Sequence, residues 1–104
     1  MRMILSATAV SLASILSVQA VDARTIETAC LRSDRTAATR VLCSCIQRVA
    51  DEMLSFGDQR RAARFFRDPD LAQQIRMSGS PGDNAFWTRY RAFGDRAEAR
   101  CARS

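Results

Sequence analysis

The side chains best equipped for chemistry in this chain are four cysteines, Cys30, Cys43, Cys45 and Cys101. Two of them stand one residue apart in VLCSCIQ, residues 41–47. Such a group can hold a metal, exchange electrons as a thiol pair, or form structural disulfides. The order Cys-x12-Cys-x-Cys-x55-Cys lacks the ligand pairs, two to four residues apart, of a four-thiolate zinc site. A Cys-x-Cys copper site would find no histidine anywhere in the chain, and Met53 and Met77 are isolated methionines. A thiol oxidoreductase uses Cys-x-x-Cys at the start of a helix that follows a strand, and neither feature is present. Structural disulfides are therefore the favoured reading, with no metal and no cofactor. The alternative is a thiol-redox or metal-handling protein acting through Cys43 and Cys45.

The absence of histidine also removes the commonest acid–base catalyst. Serine triads, cysteine–histidine pairs and haem attachment through Cys-x-x-Cys-His all require it. No glycine-rich phosphate loop occurs. Asp51 and Glu52 are adjacent on a helix, so they face different directions and read as solvated acids. Asp68 and Asp70 flank Pro69 and are accounted for by helix capping. No catalytic residue is assigned, and the chain is read as a non-enzyme.

The elements that must position these cysteines are helical, because apolar residues recur at three-four spacing and no alternating β-branched run occurs. A first helix is predicted over Ile26 to Leu31, capped by Thr25. Ser33-Asp34 would end it and cap a long second helix from about Arg35 to Leu54. Its apolar stripe would be Ala38, Val41, Leu42, Cys45, Ile46, Val49, Ala50, Met53 and Leu54, with Arg40, Gln47, Arg48, Asp51 and Glu52 mostly off it. Phe56-Gly57 would close that helix through a left-handed glycine, and Asp58 would cap a third over Gln59 to Arg67. Asp68-Pro69-Asp70 starts a fourth, to about Met77. After the loop Ser78 to Gly82, Asp83 or Asn84 opens a last helix with the stripe Phe86, Tyr90, Phe93, Ala97 and Cys101. The expected fold is all-α: a small helical domain of about five helices, stapled by two disulfides.

Helix geometry then constrains the pairing. Residues i and i+2 point about 200° apart, so Cys43 and Cys45 cannot bond to each other while their helix is intact. Of the three possible pairings, Cys30–Cys43 with Cys45–Cys101 is favoured over Cys30–Cys45 with Cys43–Cys101.

The N-terminus indicates the compartment. Met1-Arg2-Met3 gives a short positive start, Ile4 to Val18 is uncharged, and Val18-Gln19-Ala20 supplies small residues at a cleavage site. This is the pattern of a secretory signal peptide over residues 1–20, with Ala23 as the alternative cleavage point. The uncharged run is shorter than the roughly 20 apolar residues of a spanning helix, so no membrane span is expected after cleavage. Residues 21–104 form one domain, periplasmic or secreted, where disulfides compensate for a small core.

The chain carries 16 arginines, no lysine and 11 acids, a net charge of +5. Arginine without lysine, beside 17 alanines, is a composition that a GC-rich genome produces, so charge alone identifies no ligand. Two groupings stand out. Arg60, Arg61, Arg64 and Arg67 are placed on one face of the third helix, and Arg89, Arg96, Arg100 and Arg103 on one side of the last. Guanidinium groups fork onto carboxylates and phosphates, which suits an acidic periplasmic protein or an anionic surface. Export argues against nucleic acid. Trp87, Tyr90 and the phenylalanines lie at helical spacing and read as core.

The segments ETACLRSDRTAATRVLCSCIQRVAD, DQRRAARFFRDPDLAQQIR and FWTRYRAFGDRAEARC resemble a family of short exported proteins of alphaproteobacteria, chiefly rhodobacters. The resemblance spans Ile26 to Cys101. It implies export and a single domain, and it brings no activity, catalytic residue or ligand. Some family members carry the label "arginine transporter". For a chain without a mature membrane span, that label implies at most a soluble accessory or binding component of arginine transport.

Overall fold

The computed structural model describes residues 24–103; the leader assigned to residues 1–20 and the alternative cleavage point lie outside them. Five helices follow in order: α1 Thr25–Leu31, α2 Arg40–Met53, α3 Phe56–Arg67, α4 Pro69–Met77 and α5 Pro81–Cys101. No strand occurs among the described residues. The helices close into a ring around a shared interior: α1 lies on α2 and α3, α5 on α2, α3 and α4, and α4 on α3.

Hydrophobic periodicity explains which faces meet. On α5, Phe86, Phe93, Ala97 and Cys101 are buried, and Tyr90 is half-buried between them. Fully burying a side chain the size of Phe86 contributes about 1.5–3 kcal/mol. Its ring stacks on Tyr90 and meets Phe65 of α3 edge-on. Ile26, Cys45, Val49, Ala50, Leu54, Ala62, Ala63 and Phe65 complete the core, with Leu42, Ile46, Met53 and Phe66 packed against it. Val41, placed in the predicted stripe of α2, is 64% exposed instead. The buried arc of α2 runs towards Cys43 and Gln47 on one edge and Cys45 on the other, which leaves Val41 outside it.

Several helix ends differ from the sequence reading. α1 begins at Thr25 itself, with Arg24 in the cap position. Ser33 donates its hydroxyl to the Cys30 carbonyl at 2.6 Å and so finishes α1; it does not start α2. α2 starts at Arg40, five residues later than predicted, under Thr39, whose hydroxyl accepts the Leu42 N–H at 3.2 Å. Residues 32–39 are needed as a reversing loop. A helix begun at Arg35 would carry Cys43 about 12 Å along its axis, whereas Cys30 and Cys43 must approach to 5.6 Å between Cα atoms.

α2 ends at Met53 with Leu54 extended, and Ser55, not Asp58, caps α3 by accepting the Asp58 N–H. Gly57 consequently lies inside the first turn of α3, and no left-handed glycine occurs among the described residues. At the α3–α4 junction, Asp68 caps with its backbone alone. Its N–H bonds the Arg64 carbonyl, its carbonyl accepts from Leu71, and its side chain makes no cap. Pro69 at the first position has no N–H to offer a capping carboxylate. Ser80, followed by Pro81, opens α5 in place of Asp83 or Asn84.

Candidate functional site

α2 presents Cys43 and Cys45 to opposite neighbours. Cys43 bonds Cys30 of α1, and Cys45 bonds Cys101 at the end of α5, with Cα separations of 5.6 and 5.8 Å. This is the favoured pairing. The roughly 200° between the two side chains on one helix excludes a Cys43–Cys45 bond, and the packing of α1 and α5 on opposite flanks of α2 decides between the other two pairings. All four cysteines are buried, at most 5% exposed, and no free cysteine is left. No group of three or more His, Cys, Asp or Glu side chains is placed to hold a metal ion among the described residues.

Beside the Cys30–Cys43 staple lies a polar cluster that the amphipathic pattern concealed. Gln47, 4% exposed, accepts the Glu27 N–H at 2.9 Å. That N–H belongs to the first turn of α1 and has no partner within its own helix, so Gln47 caps α1 from across the interface. The Gln47 amide nitrogen donates to Asp51 at 2.8 Å and to the side-chain oxygen of Gln59 at 2.9 Å. Gln59, also buried, donates to Asp51 and to the Leu54 carbonyl. The cluster leaves no buried side-chain polar atom unsatisfied among the described residues, as a low-dielectric interior requires.

The arginines divide by what they meet. Arg89 forks onto Asp58 at 2.7 and 3.1 Å, and Arg100 holds both oxygens of Glu52 at 2.9 Å. The Asp58 bond holds the Arg89 guanidinium above its ordinary range. Arg61 pairs with Asp83 and lies 4.4 Å above the Phe86 ring, a cation–π position. Hydrogen bonds from Ser78 and then Arg61 hold the Asp83 carboxyl below the usual carboxylate range. Burial pushes the Tyr90 phenol up. These charges join α5 to α2 and α3.

Arg61 therefore does not share the face of its neighbours. Each residue turns about 100°, which leaves Arg60, Arg64 and Arg67 within about 60° of one another and sends Arg61 towards α5. Arg60, Arg64 and Arg67 are exposed. Arg60 lies 5.3 Å over the Phe56 ring, and none of the three has a carboxylate within ion-pair distance among the described residues.

Arg67 also borders a cleft of about 160 Å³ between α1 and α3, lined by Thr25, Thr28, Ala29, Arg32, Ala63 and Arg67. Sequence reasoning missed Thr28 and Arg32. The signal was present, since residues 25, 28, 29 and 32 recur at the spacing of one helix face, but nothing local says which helix that face meets. No protein-family model, no curated protein and no solved structure matches this chain.

Proposed function

We propose that this chain is an exported, non-enzymatic interaction module that takes an acidic protein on the Arg60, Arg64 and Arg67 strip of α3. One observation carries the reading: these three exposed guanidiniums have no carboxylate partner among the described residues, while Arg61, Arg89 and Arg100 each have one. Uncompensated like charges on one face attract an anionic partner and speed its arrival. The disulfides fit an oxidising compartment, in line with the leader and with the resemblance to short exported proteins. A redox role for Cys43 and Cys45 draws no support from an arrangement that bonds each to a different, buried cysteine.

Affinity capture from a periplasmic extract tests the proposal, with the native chain against Arg60→Gln/Arg64→Gln/Arg67→Gln. Arg61 stays native because its pair with Asp83 belongs to the fold. Loss of acidic partners in the variant, with unchanged circular dichroism, is the expected result. An unchanged partner set removes the strip from the function. Retention on anionic vesicles in place of any protein redirects it to a membrane surface.

A further inference from the structure

The α1–α3 cleft combines features that the strip alone lacks. It is concave, it draws on two helices, and its floor is made of the small residues Ala29 and Ala63. At about 160 Å³ it exceeds many times the roughly 10–15 Å³ that one water requires. Arg32, at the C-terminal cap of α1, and Arg67, in the last turn of α3, both line it. Neither has an ion pair among the described residues. The Thr28 hydroxyl, half-buried on the same wall, makes no hydrogen bond there either. Asp34 and Asp68, the acids nearest Arg32 and Arg67 in sequence, neither line the cleft nor pair with those arginines. Glu27 lies 3.8 Å from Arg24, Asp51 serves the glutamine cluster, and neither lines the cleft.

We infer that this cleft binds the phosphate group of a small molecule, through Arg32, Arg67 and Thr28. Donor arithmetic selects phosphate over carboxylate. Two guanidinium forks and one hydroxyl offer about five hydrogens, whereas a carboxylate accepts about four. A phosphate group offers three strong acceptor oxygens and about −1.5 to −2 charge, which also neutralises two like charges on one cleft. The site shares Arg67 with the α3 strip and to that extent rests on the proposed anionic partner. Arg32 and Thr28 belong to it alone.

The test is titration of the ¹⁵N-labelled full domain with inorganic phosphate and with glycerol 3-phosphate, beside acetate and chloride at matched ionic strength. Saturable amide shifts are expected at Thr28, Ala29, Arg32, Ala63 and Arg67, with acetate weaker than phosphate. Arg32→Gln should weaken phosphate binding about tenfold, as loss of one charged hydrogen-bonding partner does. Thr28→Val, which keeps the side-chain shape, should weaken it by less. Tighter binding of either phosphate form supports the site and says whether the group arrives free or as an ester. Linear shifts spread over the whole cationic surface, binding unaltered in Arg32→Gln, or acetate matching phosphate would overturn the inference. Partner capture fails separately, since Arg60→Gln/Arg64→Gln leaves the cleft intact and Arg32→Gln leaves Arg60 and Arg64 in place.

Discussion

On the Cys45 flank of α2, α5 is fixed by a disulfide, and three ion pairs, Arg100–Glu52, Arg89–Asp58 and Arg61–Asp83, bind it to α2 and α3. On the Cys43 flank, α1 is held by a disulfide and by the side-chain oxygen of a buried glutamine. Arg61, Arg89 and Arg100 are thus spent on cohesion around α5, although Arg91 and Arg96 of that helix are not, while at the α1–α3 junction Arg32 and Arg67 both carry charge with no ion pair among the described residues. A long helix such as α5, 21 residues against 7 in α1, offers enough length to place charges opposite acids on two neighbours. The short α1 relies on covalent and amide ties. Charge at its edge stays available.

The largest expected effect breaks the two flanks in turn. Cys45→Ser/Cys101→Ser and Cys30→Ser/Cys43→Ser should each lose about 2–5 kcal/mol. The sequence separations are 56 and 13, so the chain-entropy model makes the first variant less stable by about 1 kcal/mol more than the second. Thermal melts of both variants check the order, and a lower melting temperature for the Cys30–Cys43 deletion reverses the comparison.

A smaller loss isolates the amide tie. Gln47→Leu leaves the Glu27 N–H without its acceptor and the Gln59 side-chain oxygen without its donor, at a cost of about 1–3 kcal/mol. Hydrogen exchange should rise at Glu27 and its α1 neighbours before α5 is affected. Uniform loss of protection in both helices would mean that the two flanks are one cooperative unit.

The smallest effect sharpens the α5 side through pH. Asp83 is held below its ordinary pKa. Its contribution to stability is therefore present above the unfolded value near pH 4 and is lost as pH falls through the lowered native value. Denaturation of the native chain and of Asp83→Asn should differ at about pH 7 and converge once the pH is below the lowered native value. A gap that persists in acid would assign the effect to packing.

How far the sequence anticipated this structure depends on whether the deciding physics was local. Pro69 marks the start of α4, and the wide spacing of Phe86, Phe93 and Cys101 marks one face regardless of what covers it, whereas Pro81 reads as loop beside Gly79 and Gly82 and in fact starts α5. Helix geometry alone separates Cys43 from Cys45 and so removes one of the three pairings, whereas the choice between the other two depends on which flank of α2 receives α1. The start of α2 was not legible, since Ala37-Ala38 suits a helix or a loop and only the demand of the Cys30–Cys43 bond decides between them. Gln47 was assigned to the surface because an unpartnered glutamine belongs there. Its burial depends on an orphan N–H that α1 brings from 20 residues away. The cleft was hidden for the same reason: Arg32 and Arg67 meet only after α1 docks on α3.

The opposed directions of Cys43 and Cys45 have a consequence for the fidelity of oxidation. Of the three possible isomers, the one that joins these two neighbours needs no other element in place and is therefore open to a disordered chain. A folded α2 forbids it by holding the two sulfurs on opposite sides. The helix thus acts as a proofreader, and the correct isomer is guarded for as long as those two turns stay wound.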